Sequence, residues 1–405
     1  MTNSYAFRCL WLGQSLANSG DVFYVVGLMT IIYGRTGSAV YMAMVPFCTT
    51  VSRFLSGLMA PLIFDRFGLK RALTDAQGAK TLLLLALSVL SAFNVPYLIL
   101  VLLLLITGIS FLDGWAAPAR GAFVPHLVKE KDWMRANSFL ALSDQSVNLA
   151  GWACGGILAG FLGGTGILWI TFGLFVLSTV LLSFLPRVHA EQTRTPGRRA
   201  DSLREGWRIL WHRPLLRVLT CIDMLCCLSS VVWMAAIIYV FVRRILRVSE
   251  SWWGYINFVY FAGLIVGGFL ALRASRQLER RLGSSAVIAI LGMSLLTAAF
   301  AWNAYPLAAL LLAAGIGIFE QILAVAFQTL VQKNVPTGGL AKVYAAQDAV
   351  YSLVYGMGTL FFGWLVDSAG VRLVFIFSAI LLITAFLFAG LKRRLFIVQS
   401  DEEKI

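Results

Sequence analysis

Six carboxylates and one guanidinium stand inside long apolar runs of this chain: Asp21, Asp113, Asp144, Asp223, Glu320 and Asp348, with Arg53. A charged side chain in hydrocarbon costs several kcal/mol unless it is paired or wet, so each is a candidate functional group. Desolvation favours the neutral acid over the carboxylate, so an acid in such a place holds a proton and releases it when its surroundings change. That is the chemistry of proton coupling, and a cationic solute competes for the same negative charge. Arg53 lies twelve residues before Asp65, roughly 18 Å deeper along a helix. It is expected to pair with Asp21 or Asp113 in one state of a transport cycle. Asp75, four residues after Arg71, reads as a structural partner, and Lys80 as a side chain that snorkels to the inner face. Tyr24, Trp115, Trp233, Tyr239, Phe327 and Tyr351 share helices with the acids and are candidate walls of a substrate cavity.

The elements that must position these groups follow from composition. Of 405 residues, 59% are hydrophobic and 13% charged, against about 25% charged in a soluble globular protein. The mean hydropathy of +0.82 agrees. So much apolar surface cannot be covered in water, which excludes a soluble enzyme, a disordered chain and a nucleic-acid binder. A spanning helix needs about 20 apolar residues, and twelve such runs can be read: 8–33, 40–63, 73–93, 96–118, 134–162 and 166–186, then 215–241, 252–273, 284–302, 305–330, 339–366 and 371–391. They are too long, and too poor in strict alternation, for strands. The predicted fold class is an all-α membrane protein of twelve spanning helices. The six cysteines lie in or beside apolar runs without metal-ligand or disulfide spacing. The start of the chain has no charged n-region or cleavage site, so its first apolar run is expected to remain as a helix.

Lys and Arg set the orientation. With an inner N-terminus, 26 of the 33 basic residues fall on the inner side and five on the outer, so both termini are expected in the cytoplasm. The net charge of +14 then needs anionic inner-leaflet lipid as its partner and no nucleic acid. Residues 188–214 read as a cytoplasmic linker between a bundle over 1–187 and a second bundle with a short tail over 215–405. In the linker, Ser202 and Glu205 match a capping box. Leu203, Trp207, Leu210 and Trp211 form a stripe that suits a helix on the inner leaflet or a plain connector. The two halves resemble each other. Ile31-Ile32-Tyr33 is echoed by Ile237-Ile238-Tyr239, Gly108-Ile109 with Asp113 by Gly315-Ile316 with Glu320, and Asp144 by Asp348, all at an offset near 205. Six helices repeated twice is the trace of a duplicated transporter.

At the end of the second run stands Asp65-Arg66-Phe67-Gly68-Leu69-Lys70-Arg71. Gly68 permits a sharp turn. The charges around it can pair in one conformation and release in another. The segment resembles the loop 2–3 signature of the major facilitator superfamily, Gly-x-Leu-Ala-Asp-Arg-x-Gly-Arg-Lys. Pro61 replaces the opening Gly, and Leu69 replaces the first Arg after Gly68. On this resemblance Asp65, Arg66, Gly68, Lys70 and Arg71 form a gating loop. Gly151-Trp152-Ala153-Cys154-Gly155-Gly156 resembles the antiporter motif of the same superfamily, with Trp152 in the place of Pro. Gly151, Gly155 and Gly156 read equally well as a helix-packing face.

More of the chain is similar to the drug/proton antiporter branch that contains macrolide efflux proteins and the enterobactin exporter. The similar segments are Ser19-Gly20-Asp21, Pro118-Ala119-Arg120, Val124-Pro125-His126-Leu127-Val128, Arg135-Ala136-Asn137-Ser138 and Leu203-Arg204-Glu205-Gly206-Trp207. The resemblance implies the major facilitator fold, two pseudo-symmetric six-helix bundles. It also implies export of an amphipathic small molecule (a drug, a macrolide-like compound, a siderophore or another secreted metabolite) against protons, by a monomer in the cell membrane. No cofactor or metal is expected. The phosphate-loop-like Gly78-Ala79-Lys80-Thr81 lacks the Gly before Lys and lies in a helix, which excludes an ATPase. His126, His189 and His212 all fall at loops or helix ends, so no intramembrane enzyme is expected. A proton-coupled importer and a non-transporting receptor or scaffold remain the alternatives.

Overall fold

The computed structural model describes residues 5–36, 39–93, 97–186, 199–233, 235–249 and 251–396. These residues form α1 (Tyr5–Thr36), α2 (Ala39–Ser91), α3 (Leu98–Asp113), α4 (Ala116–Leu127) and α5 (Trp133–Ser183). After α6 (Arg199–His212) come α7 (Pro214–Ser230), α8 (Ala235–Phe241), α9 (Ser251–Arg273) and α10 (Ser275–Arg280). The chain ends in α11 (Leu282–Trp302), α12 (Pro306–Asn334), α13 (Thr337–Ala369) and α14 (Val371–Leu391). Residues 188–198 of the expected linker and 397–405 of the tail lie outside the described residues, as do the Ser202 and Leu203 side chains.

Ten of the described segments are long and apolar enough to cross a bilayer. Two of them, Met44–Ser91 and Glu130–Ser183, have 48 and 54 residues and are long enough to cross twice. Each is broken where the backbone demands it. Gly68 has φ 73 and ψ 167, and Gly163 has φ 66 and ψ 173. That region is open to glycine and strained for every other residue. Counting the two broken helices twice gives twelve crossings, the number predicted from the apolar runs.

The chain divides into two compact units. The first comprises Met1–Glu130, Ser146–Ile209 and Val335–Ala349. The second comprises Lys131–Gln145, Leu210–Asn334 and Val350–Ile405. Each unit thus takes a helix segment from the other half of the sequence: the start of α13 belongs to the first unit, and the start of α5 to the second.

In the first unit, Gly13, Gly20 and Gly27 recur every seven residues on α1 and lie against Leu182, Phe175 and Ile167 of α5. Gly151 and Gly155 face Val22 and Val26 of α1. With no attraction of water-exposed surface to drive helices together in lipid, such small residues allow the close approach that dispersion requires. Tyr24, Leu28, Ile32, Leu84, Leu102, Ile106 and Phe175 fill the core beside this seam. In the second unit, α9 and α12 meet at Gly263, Gly267 and Gly317. Phe241, Phe300 and Phe375 pack on one another at its core, and Trp233 meets Phe300 and Phe375 edge-on. The duplicated tripeptide behaves alike in both units: Ile31, Ile32, Ile237 and Ile238 are buried, while Tyr33 and Tyr239 keep exposed surface. Large apolar side chains such as Leu104, Leu307 and Leu360 are exposed, as a lipid-facing surface requires.

Candidate functional site

Four charges from three helices of the first unit meet beside its core. Asp21 comes from α1, Arg53 and Lys80 from α2 on either side of its break, and Asp113 from the last position of α3. Lys80 Nζ donates to Asp21 Oδ1 at 3.0 Å and to Asp113 Oδ1 at 2.6 Å. Arg53 Nη2 lies 2.5 Å from Asp113 Oδ2. Asp113 closes a helix, where the dipole opposes a carboxylate; two cations offset that. Gly114 follows, and Ser56 occupies the space where its side chain would be. The Trp115 indole donates to the Ala72 carbonyl at 3.0 Å and pins this turn to α2.

Lys80 corrects the sequence reading. It does not snorkel: its side chain is 1% exposed, and Nζ lies 5.0 Å from the Phe175 ring centre. Two carboxylates within bonding distance offset its desolvation better than a strained reach to water. The group of four is charge-balanced, two cations against two anions.

The second unit holds the counterpart acids without that balance. The Tyr260 hydroxyl of α9 donates to Glu320 Oε2 of α12 at 2.7 Å. This pair exists because a Cβ on Gly317 would collide with the Tyr260 carbonyl; glycine lets the two backbones close. Asp223 of α7 is half-buried, one turn before Cys226 and Cys227. Cys227 Sγ lies 3.7 Å from the Tyr351 carbonyl oxygen. Tyr351 stacks on Tyr355 with centroids 6.0 Å apart and lies in the field of both Asp223 and Glu320. Among the described residues, no Lys, Arg or His acts on either acid. α11 carries no charged residue, and the one basic residue of α9 is Arg273 at its end.

The gating loop is tied at Asp65. Lys342 Nζ of α13 lies 2.6 Å from Asp65 Oδ1 and 2.6 Å from Glu205 Oε2 of α6, all within the first unit. Gly206 of α6 rests on the Lys342 backbone, where a Cβ would not fit. Arg66 lies over the Phe67 ring at 5.2 Å, and Arg71 is exposed. Lys70 contributes its carbonyl oxygen to Thr74 Oγ1. In the second unit, Asn137 Nδ2 donates to Gln332 Oε1 at 2.6 Å, and Gln332 Nε2 returns a bond to Asn137 Oδ1 at 3.2 Å. Asn137 and Lys342 are 205 residues apart, the offset of the internal repeat. Lys342, Glu205, Gln332 and Tyr260 are absent from the sequence-derived site. The repeat offset was the signal that marks Lys342, once Asn137 is noticed.

The aromatic candidates separate. Tyr24, Trp115 and Phe327 are buried in helix packing and so line no open space. Trp233 stacks on Tyr260 with centroids 5.6 Å apart and joins the phenylalanine core. Tyr239 lies beneath Arg243, and Tyr351 is exposed. Asp144 is half-buried and Asp348 exposed, each engaged with neighbours. Gly151 and Gly155 pack on α1, whereas Gly156 faces open space. Trp207 and Leu210 of α6 differ from the lipid-facing stripe: Leu210 is fully buried, and Trp207 is half-buried. Among the described residues no group of three His, Cys, Asp or Glu could hold a metal ion.

The model of the Major Facilitator Superfamily matches residues 10–348. The chain belongs to that superfamily. It is 30% identical over 386 residues to YjbB, an uncharacterised transporter of the superfamily from Bacillus subtilis, covering 95% of each chain. It is 23% identical over 371 residues to the multidrug efflux pump Tap of Mycolicibacterium fortuitum, covering 89% of each. Solved structures share the fold. The human organic anion transporter MFSD10 superimposes with a TM-score of 0.77 at 14% identity, over 96% of this chain and 100% of that one. The fucose:proton symporter FucP of E. coli gives 0.77 at 14% identity, over 96% and 98%. This facilitator is therefore a multi-pass membrane transporter of small molecules and not an enzyme.

Proposed function

We propose that this facilitator exports an amphipathic small molecule in exchange for protons, by alternating access, with Asp223 and Glu320 as the proton carriers. The observation that carries this reading is the unequal counter-charge of the two units. Asp21 and Asp113 have Lys80 and Arg53 within bonding distance, two cations facing two acids. Asp223 and Glu320 lie in spanning helices with no cation acting on either among the described residues, and Glu320 has the Tyr260 hydroxyl. Such acids exist in hydrocarbon as neutral protonated groups and ionise when water or a cationic cargo reaches them. That is the property a coupling site needs, while the balanced group positions helices α1, α2 and α3.

Export rather than import is supported by the likeness to Tap, named a multidrug efflux pump, and by the similarity to the drug/proton antiporter branch. The bias of 26 basic residues to five supports a cell-membrane orientation with both termini in the cytoplasm. Vesicles containing the full chain, given a proton gradient, test the proposal. Amphipathic compounds are expected to move uphill against proton flow, and Glu320→Gln or Asp223→Asn to lose that movement while downhill exchange persists. Uphill movement in the direction of the protons would make the protein an importer. Undiminished antiport in both variants would remove the assignment of carriers.

A further inference from the structure

The four-charge group of the first unit has one member unlike the rest. Arg53 has a side chain 48% exposed, while Asp113 is 12% exposed, Asp21 13% and Lys80 1%. A cationic side chain at spanning depth with that much open surface along its length has a route to water, since lipid penalises the charge. Asp113 holds two cations at once, Lys80 at 2.6 Å and Arg53 at 2.5 Å, so it keeps a partner when Arg53 leaves. Beside it, the Ser56 hydroxyl is fully buried, lies against Gly114, and has no hydrogen-bond partner.

We propose that Arg53 is a tethered stand-in for the cargo: an organic cation takes its place on Asp113, and the guanidinium swings toward the open side of its own side chain. Net charge decides for a cation. One cation replacing another leaves the buried group balanced, and the displaced arginine, with its side chain half exposed, loses little. An anionic cargo drawing Arg53 away would leave Asp21, Asp113 and Lys80 with an uncompensated buried negative charge, which is heavily penalised. The idle Ser56 hydroxyl supplies an additional polar contact at the same turn. Arg53 also keeps Asp113 occupied when no cargo is present, which limits its use as a proton leak. This inference rests on the export reading for its purpose but is tested without a gradient, so the two fail separately.

Equilibrium binding to the detergent-solubilised full chain uses three dyes: cationic ethidium, neutral N-phenyl-1-naphthylamine and anionic 8-anilinonaphthalene-1-sulfonate. Removing a resident competitor removes its population tax, so Arg53→Gln is expected to bind ethidium about tenfold tighter, with the neutral dye changed by less than about twofold. Arg53→Lys stays close to the parent, and Asp113→Asn binds ethidium at least about tenfold more weakly. In the unaltered protein, ethidium should increase phenylglyoxal labelling of Arg53, read by peptide mass, which keeps the proposal testable if Arg53→Gln does not fold. Unchanged or reduced labelling overturns it. So does weaker ethidium binding by Arg53→Gln, and loss of sulfonate-dye binding in that variant would assign Arg53 to an anionic cargo instead.

Discussion

The Tyr260 hydroxyl donates to Glu320 Oε2 across 2.7 Å, and among the described residues this is the one side chain hydrogen-bonded to that carboxylate. In the first unit, Asp113 at the matching place of the repeat is held by two cations. Both halves carry an acid at this place, and they differ in what answers its charge. A carboxylate answered by a hydroxyl remains free to change protonation state. One answered by ammonium and guanidinium does not.

Tyr260→Phe removes that hydrogen bond with little change of shape. A hydrogen bond to a charged group contributes roughly 1.5–3 kcal/mol, and Glu320 loses that contact in the variant. Proton-driven uphill transport in vesicles is expected to fall about tenfold, while the thermal midpoint in detergent moves little. An unchanged transport rate would show that the pair has no part in coupling.

Lys80→Met tests the balance of the first unit. Lys80 is the partner of Asp21 and shares Asp113 with Arg53. Breaking a buried ion pair by removing one side costs about 3–5 kcal/mol, because the remaining charge is orphaned. Lys80→Met is expected to lower the melting temperature strongly, and the double variant with Asp21→Asn to recover most of the loss. Equal melting of parent and Lys80→Met would refute the buried geometry.

Lys342 joins the gating loop to α6. Its ammonium meets two carboxylates that belong to separate helices, so Asp65 and Glu205 share one partner. Double-mutant cycles of Lys342→Gln with Asp65→Asn, and with Glu205→Gln, should return coupling energies of about 0.5–3 kcal/mol. In Lys342→Gln, a cysteine placed at Ala345 is expected to react faster with a water-soluble maleimide, since α13 loses its tie to α6. Additive cycles and an unchanged labelling rate would make the contact incidental.

Much of this was legible along the chain. The apolar runs counted the crossings, because the thickness of hydrocarbon fixes the length a helix must have. The offset near 205 exposed the duplication, and charges in apolar runs marked Asp21, Asp113, Asp223, Glu320 and Arg53 as exceptional. The absence of basic residues in the interior of α9 and α11 was also written there. Its meaning was not, because a missing counter-ion is noticed only when the helices that ought to supply one are known to be neighbours.

Tertiary structure decided the partnerships. Lys80, read as a residue reaching for the inner face, turned out to be the most buried of four charges, because Asp21 and Asp113 converge on it from α1 and α3. Tyr24, Trp115 and Phe327 went to packing and not to a cavity. Spacing along one helix gives each side chain a face and a depth. Whether that face meets lipid, water or an opposite charge depends on which helix is adjacent, and adjacency arises from glycine seams such as Gly317 against Tyr260, whose consequences appear when two backbones come together.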